Sequence, residues 1–245
     1  MYQQARYLPA GDKSLVVEFG NEISEAVNGK IRGMMVVLEE NPVEGITELV
    51  PTYRSLAVYY EPLVISYDDL CLALGSIEEK LGMLVLPNPK IVEIPTAYGA
   101  EFGPDIEFVA RHNQLSVEEV IAIHTETEYL IYMLGFTPGF TYLGGMSEKI
   151  VTPRLKIPRT TIPKGSVGIA GAQTGIYPID SPGGWQLIGR TPLLLYDPSQ
   201  DIPVLLQAGD YVRFVPINAS QYHLLESQIR SGEYRPVTYE MDRRG

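Results

Sequence analysis

The stretch from Gly135 to Pro192 opens with GFTPGFTYLGG (135–145) and closes with IPKGSVGIAGAQTGIYPIDSPGGWQLIGRTP (162–192). It holds eleven of the 23 glycines, seven of the 19 prolines and the only tryptophan of the chain. It carries six Lys or Arg against two acids, whereas the remaining residues carry thirteen bases and 28 acids. Short apolar segments between glycine and proline are typical of β-structure with tight turns. We therefore expect a basic, turn-rich surface within an acidic protein.

The chain as a whole is acidic. Its 245 residues carry a formal net charge of −11. Nucleic acids and anionic membranes bind to dominant basic faces, so we expect neither kind of partner. The one cysteine, Cys71, permits no internal disulfide and suits a reducing compartment. The start MYQQARYLPAGDK lacks the pattern of a signal peptide, and no apolar run approaches the roughly 20 residues of a membrane span. We expect a cytoplasmic protein.

Residues 1–88 predict a small α/β domain. Four short apolar runs predict strands, at Ser14–Phe19, Ile46–Val50, Ser55–Tyr60 and Leu84–Leu86. Apolar residues at spacings of three or four predict a helix after Asn21 and a second helix after Ser66, which forms a capping pattern with Asp69. The order βαββαβ is that of a ferredoxin-like fold. Pro87–Pro89 is the predicted linker.

Residues 89–245 predict a mainly-β domain with a C-terminal helix. Five apolar runs predict strands, at Ile91–Pro95, Glu128–Leu134, Val167–Ala170, Leu193–Tyr196 and Tyr211–Val215. Helices are predicted over Pro104–His112, after a Ser116 cap, and over Asn218–Arg230. Strands punctuated in this way favour a closed or nearly closed barrel, because closure removes exposed edges.

Several standard chemistries do not fit the sequence. Its three histidines and one cysteine are widely spread and match no zinc spacing, so no metal site is predicted. The glycine-rich stretch has Lys164-Gly165-Ser166 but no complete phosphate-loop motif, and the chain has no G-x-G-x-x-G. A G-x-S-x-G nucleophile elbow is also missing. We therefore expect no cofactor bound by this chain alone.

The polar and aromatic residues of the basic stretch predict a small-molecule pocket built on turns. The candidates are Phe136, Phe140, Tyr142, Lys164, Gln173, Thr174, Tyr177, Ser181, Trp185 and Arg190. Arg190 and Lys164 can pair with a carboxylate, and Gln173 with Thr174 can hydrogen-bond an amide. The alternative is structural: the aromatic rings fill the core, and the two cations lie on a solvated surface.

His124 is the other candidate for chemistry. It stands at the predicted end of a helix, just before the strand that leads into GFTPGF, which predicts an imidazole at the rim of the pocket. The C-terminal end of a helix favours the imidazolium form and raises the pKa. A histidine that only caps the helix would show the same pattern.

His124, Tyr129, GFTPGFTYLGG and PRLKIPRTTIPKGSVGIAGAQTGIYPIDSPGGWQLIGRTPL together resemble one family. It is the allophanate hydrolase subunit 1 family, also called the KipI family, which includes the B-type subunits of 5-oxoprolinase. Gly11-Asp12 followed by SLVVEFG resembles the start of that family, so the resemblance spans nearly the whole chain. It implies a small α/β domain followed by a cyclophilin-like β-barrel. Family members often have alanine where Lys164 stands.

The resemblance also implies a function. The family is similar to one half of a carboxyltransferase-type module, and many members belong to an ATP-dependent 5-oxoprolinase that opens 5-oxoproline (pyroglutamate) to glutamate. The implied partners are a C-type subunit, similar to allophanate hydrolase subunit 2, and an A-type subunit related to LamB/YcsF. ATP is expected in the assembled complex, and the chain alone is expected to be inactive. Three alternatives stay open: inhibition of a sensor histidine kinase, carboxyl transfer to urea or allophanate, and ligand binding without catalysis.

Within this reading the candidate residues receive separate roles. His124 is the candidate acid or base, and Arg190 is the candidate clamp for a carboxylate or phosphate. The predicted substrate-binding residues are Phe136, Tyr142, Gln173, Thr174, Tyr177, Ser181 and Trp185.

Overall fold

The computed structural model describes residues 1–241 of the chain. The chain divides into two compact units, Met1–Pro87 and Asn88–Gly245. Each unit has its own apolar core. No helix within the described residues combines the length and apolar character needed to cross a bilayer.

The first unit is a four-stranded antiparallel sheet with two helices. Its elements are β1 (Arg6–Pro9), β2 (Ser14–Glu18), α1 (Glu25–Glu40), β3 (Ile46–Pro51), β4 (Ser55–Tyr60) and α2 (Tyr67–Glu78). The sheet has the strand order β1-β2-β4-β3. Ser66 caps α2 as expected, since its Oγ accepts a hydrogen bond from Asp69 N at 3.1 Å. Helix α1 begins later than expected and is capped by Ser24 instead of Asn21.

The first unit lacks the expected last strand, so the ferredoxin-like order βαββαβ is not confirmed. Leu84–Leu86 form no strand in the described chain; they follow a 3-10 turn at Leu81–Met83, and Val85 is 91% exposed. The place beside β2 is taken by β1, which pairs with it from Arg6 to Pro9. Because β1 already supplies the hydrogen bonds along that edge of β2, the edge is not available to the apolar run 84–86.

The second unit is mainly β. Its elements are β5 (Lys90–Tyr98), α3 (Ile106–Asn113), α4 (Val117–Glu126), β6 (Glu128–Leu134), β7 (Thr141–Gly144), β8 (Arg159–Ile162), β9 (Ser166–Ala170), β10 (Gln173–Ile176), β11 (Ser181–Gly183), β12 (Gln186–Arg190), β13 (Tyr211–Ile217), α5 (Ala219–Arg230) and β14 (Thr238–Glu240). Strands β8 and β11 form a separate two-stranded sheet.

The main sheet of this unit closes almost completely into a barrel. Its strands follow the order β10-β9-β12-β5-β13-β6-β7, and β14 also pairs with β5. The two ends of that order, β7 and β10, lie beside each other. The sheet is mixed, because β13 runs parallel to β5 and the other neighbouring pairs are antiparallel. The expected nearly closed, mainly-β barrel is thus present.

One expected strand of the barrel is absent. Leu193–Tyr196 follow Pro192 and form only a single β-bridge, between Tyr196 and Val204. Leu193 and Leu195 are buried in the barrel core instead. The apolar pattern correctly indicates burial of Leu193 and Leu195. The segment packs into the core without forming a hydrogen-bonded strand of the sheet.

A close backbone approach joins the start of α3 to strand β12. Asp105 N donates to Leu187 O at 2.9 Å, and Gly99 N donates to Ile188 O at 3.1 Å. A Cβ atom at Gly103 would overlap the carbonyl group of Ile188. Only glycine allows this contact, because neither backbone can retreat without losing its hydrogen bonds.

We predict that Gly103→Ala lowers the free energy of unfolding of the second unit by about 3 kcal/mol, since the added methyl group meets backbone atoms. Trp185 is the only tryptophan of the chain, so its fluorescence during urea unfolding follows this unit. Gly184→Ala is the matched control, because its nearest neighbours lie 3.7 Å away, and it should change the free energy by less than about 0.5 kcal/mol. Equal effects of the two variants would contradict the prediction.

Candidate functional site

The loop between β6 and β7 holds an aromatic side chain in a strained conformation. Thr137 N donates to Gly135 O at 2.7 Å, which closes a three-residue γ-turn with Phe136 at its centre. Phe136 has a φ of +65°, in the left-handed region that bulky residues rarely adopt. The residue is 66% exposed. Strain of this kind concentrates at functional sites, so Phe136 points to a ligand-binding role.

Phe140 is the centre of an aromatic cluster beside this loop. Its ring makes T-shaped contacts with Phe136, Tyr142, Tyr177 and Trp185, at centroid distances of 5.6, 5.3, 5.7 and 5.7 Å. Phe140, Tyr177 and Trp185 are buried, as the structural alternative expected, whereas Phe136 is not. The cluster nevertheless forms the wall of an open cleft.

We call this the aromatic cleft. It has a volume of about 440 Å³. Its lining residues are Phe136, Phe140, Tyr142, Arg154, Pro158, Gln173, Tyr177, Pro182, Gly183, Gly184 and Trp185. A cleft of this size, apolar with few polar groups, suits a small organic ligand.

Glycines make room for the large rings of this cleft. A Cβ atom at Gly175 would lie 3.1 Å from the indole of Trp185 and 3.3 Å from Thr141 O. At Gly183 a Cβ atom would overlap the hydroxyl of Tyr177 and lie 2.8 Å from Ile162. The glycines of the basic stretch therefore let side chains lie against bare backbone.

Two arginines lie near Tyr177, which lines the cleft. Arg154 lines the cleft and is exposed. Burial raises the pKa of Tyr177 to about 12, while the nearby charges of Arg154 and Arg159 act in the opposite direction. Arg159 forms an ion pair with Asp105 at 2.7 Å, and Asp105 also accepts from Leu187 N at 2.7 Å. Arg159 is thus held by a structural ion pair, whereas Arg154 is the arginine that lines the cleft.

His124 lies in the barrel interior and not at the rim where the sequence places it. It is fully buried, and its ring lies 4.4 Å from the ring of Phe214. Its Nδ1 lies 2.8 Å from the hydroxyl of Tyr98, and its Nε2 lies 2.8 Å from the hydroxyl of Thr174. Thr174 donates its own proton to Gly168 O at 3.1 Å. His124 therefore donates from Nε2 to Thr174 and accepts at Nδ1 from Tyr98.

The environment of His124 keeps the imidazole neutral. Burial lowers the pKa of His124 to about 3, the opposite of the rise that the helix end predicts. Desolvation of a full charge outweighs the partial charge of the helix terminus, because no carboxylate contacts the ring among residues 1–241. The catalytic role of His124 stays a prediction, and this geometry favours a positioning role.

Strand alternation separates the predicted amide-binding pair. Gln173 and Thr174 are consecutive residues of β10, so their side chains point to opposite faces. Gln173 lines the aromatic cleft, whereas Thr174 is buried against His124. Ser181 begins β11 and is also buried; its hydroxyl has no hydrogen-bond partner in the described part of the chain.

Arg190 and Lys164 belong to a second cleft, which shares no lining residue with the aromatic cleft. It has a volume of about 370 Å³ and lies against α5. The structure thus divides the predicted site. Phe136, Tyr142, Gln173, Tyr177 and Trp185 meet in the aromatic cleft, His124 and Thr174 form the buried network, and Arg190 lies in the second cleft.

Two participants were not singled out from the sequence. Arg154 stands in PRLKIPR, within the basic stretch, and its charge was the available signal. Tyr98 lies at the end of β5, 26 residues before His124, and no local pattern connects the two. Among the described residues, no three His, Cys, Asp or Glu side chains are grouped in a way that could hold a metal ion.

Comparison with known proteins places this architecture in a family. The carboxyltransferase domain, subdomain C and D, matches residues 5–206. The chain belongs to this carboxyltransferase family. Within the family, it is 49% identical over 229 residues to the B-type subunit of 5-oxoprolinase from Bacillus subtilis, covering 89% of this chain and 95% of the relative. It is 40% identical over 219 residues to the protein of that name from Escherichia coli O157:H7, covering 87% and 97%. The predicted family is confirmed.

A solved structure supports the carboxyltransferase-type fold. The urea amidolyase of K. lactis matches with a TM-score of 0.78 at 22% identity. The match covers 97% of this chain and 16% of that larger protein. At this identity the likeness concerns the fold alone.

The low pKa of His124 predicts a pH-dependent stability for this carboxyltransferase-family chain. The unfolded chain binds a proton at this residue near pH 6.5, and the folded protein binds it only near pH 3. This contribution is therefore complete above pH 6.5 and falls by about 1.4 kcal/mol for each pH unit below it, until the folded pKa is reached.

The measurement compares urea unfolding of wild-type protein and His124→Gln between pH 7.5 and 5. We expect the difference in unfolding free energy between the two to shrink as the pH falls. Gly184→Ala, which changes no titratable group, is the control, and its difference from wild type should stay constant over this pH range. A constant difference between wild type and His124→Gln would contradict the assignment.

Proposed function

We propose that this chain serves as the B-type subunit of an ATP-dependent 5-oxoprolinase that converts 5-oxoproline to glutamate. The observation that carries the proposal is the aromatic cleft, whose lining includes a glutamine and a cation, in a chain 49% identical to a 5-oxoprolinase component. A single cysteine suits a reducing compartment, and we place the complex in the cytoplasm.

The cleft offers a partner for each part of 5-oxoproline. The substrate is a five-membered lactam ring with a carboxylate. The faces of Phe136 and Trp185 can cover the ring methylenes, and the side-chain amide of Gln173 can hydrogen-bond the lactam. The guanidinium of Arg154 can pair with the carboxylate in a bidentate manner. The lining thus supports recognition of a small, flat, anionic amide.

The residues in and behind the cleft favour a division of roles in which this chain positions the substrate and partner proteins activate it. Tyr177, with a pKa near 12, is protonated at neutral pH, and His124 is enclosed by protein. Neither residue offers a base to a water molecule in the cleft. An unstrained lactam needs activation of its carbonyl group, which we assign to ATP and to the A-type and C-type partners. We expect this chain by itself to be inactive.

The test reconstitutes the complex from this chain and its A-type and C-type companions. We expect 5-oxoproline-dependent release of phosphate from ATP and formation of glutamate only when all components are present. Full activity without this chain would overturn the proposal, and so would ATP-dependent carboxylation of urea in place of lactam opening. Inhibition of a sensor histidine kinase stays a prediction, testable by kinase autophosphorylation at saturating protein.

We predict that Arg154→Gln raises the KM for 5-oxoproline about tenfold in the reconstituted complex and changes kcat little, because a carboxylate partner is lost in substrate binding. Lys156→Gln is the matched control; Lys156 is an exposed cation of the same loop that does not line the cleft. If both variants raise KM equally, the loop acts only through its net charge, and Arg154 is not the carboxylate partner.

We predict that Phe136→Gly weakens substrate binding but leaves the free energy of unfolding within about 1 kcal/mol of wild type. Glycine relieves the left-handed strain, and this gain offsets its greater freedom in the unfolded chain. KM should rise about 3- to 10-fold with the loss of the ring, whereas Phe136→Tyr should restore it. An unchanged KM in Phe136→Gly would exclude the ring from substrate binding.

A further inference from the structure

The second cleft concentrates cations beside helix α5. Its lining residues are Pro163, Lys164, Asp180, Arg190, Thr191, Pro192, Leu193, Leu194, Tyr222, Glu226, Ile229 and Arg230. They include three cations and two carboxylates. Glu226 pairs with Arg230 at 3.1 Å, so these two charges largely cancel. The remaining positive charge that a ligand would meet is that of Lys164 and Arg190, and the carboxylate of Asp180 opposes it.

Arg190 has a buried hydrogen-bond donor without a partner among the described residues. It lines the cleft together with Tyr222, whose pKa is raised by burial while the nearby charge of Arg190 acts in the opposite direction. Its Nε atom is buried and has no partner within residues 1–241. Arg190 pairs across the sheet with Ser166, whose side chain therefore leaves the same face. The Ser166 hydroxyl is likewise buried and lacks a partner among the described residues. Buried polar groups without partners are rare in proteins and call for an explanation.

The turn between β8 and β9 holds Lys164 at the edge of this cleft. Lys164 N donates to a carboxylate oxygen of Asp180 at 2.7 Å, which uses part of the hydrogen-bonding capacity of that acid. Gly165 follows with a φ of +80°, and its N–H donates to Tyr177 O at 2.7 Å. The Lys164 side chain is exposed, and no carboxylate pairs with its ammonium group in the part of the chain that the structure describes.

We propose that the second cleft is a binding site for an oxyanion, a phosphoryl or carboxylate group held by Arg190 and Lys164. An arginine whose donors are directed by packing binds such groups with paired, charge-assisted hydrogen bonds. Asp180 limits the excess of positive charge, so a single anionic group fits better than a polyphosphate chain. The site is separate from the aromatic cleft and does not depend on the 5-oxoprolinase assignment.

The experiment titrates the full chain with inorganic phosphate and, in a parallel arm, with acetate, at constant ionic strength set by chloride. Binding is followed by calorimetry or by NMR shifts. We expect saturable binding of at least one of the two anions, and the tighter one identifies the chemical source. Arg190→Gln should weaken this binding about tenfold or more, and Arg190→Lys should restore part of it.

Two further variants make the test decisive. Lys164→Ala alters an exposed side chain that folding does not require and should weaken binding several-fold. Arg154→Gln removes only the cation of the aromatic cleft, so the binding that Arg190→Gln weakens should change less than twofold in this variant. The proposal is overturned if neither anion binds beyond the chloride background, if Lys164→Ala binds like wild type, or if Arg154→Gln loses as much affinity as Arg190→Gln. The last outcome would place the anion in the aromatic cleft and leave the proposed function intact.

Discussion

The packing of the Trp185 indole against bare backbone is the constraint on which the functional face of the barrel depends. The ring lies over Gly175 of β10 and against Phe140, and the Trp185 Cβ lies 3.2 Å from the position that a Cβ at Gly168 would take. A Cβ atom at Gly175 would crowd the indole, and one at Gly168 would crowd the Trp185 Cβ and Gln186 O. The β9–β10 hairpin, the β6–β7 loop and the aromatic cleft are therefore one packed assembly, because interiors at protein density transmit such displacements.

Within that assembly, two successive residues of β10 place their polar side chains in different surroundings. On one face of β10, Gln173 is open to the cleft; on the other, Thr174 completes a chain of hydrogen bonds from Tyr98 through His124 to Gly168. In the low-dielectric interior a fully paired network of neutral groups is stable, whereas an imidazolium would not be. His124 thus helps to hold β10 in place, and β10 presents Gln173 to the aromatic cleft.

The positive charge of the basic stretch is also divided by the fold. Arg159 forms a structural ion pair with Asp105, which also accepts a hydrogen bond from β12 and so connects the start of β8 to β12. Arg154 is left at the aromatic cleft, and Lys164 and Arg190 are left at the second cleft. The two proposed anion sites therefore both draw their positive charge from the basic stretch of an otherwise acidic chain.

The sequence by itself indicated the family through the resemblance of a long motif. It indicated the mainly-β barrel and a cluster of aromatic candidates through the spacing of glycine, proline and aromatic residues, which constrains turns and packing. It also indicated the caps at Ser66 and Ser116, since capping depends only on neighbouring residues. Only the tertiary structure decided that β1 fills the edge expected for Leu84–Leu86, that His124 is enclosed and neutral, and that Arg190 lies apart from Gln173. These outcomes depend on which distant strands become neighbours and on how completely they exclude water, and neither quantity is encoded in a local pattern of residues.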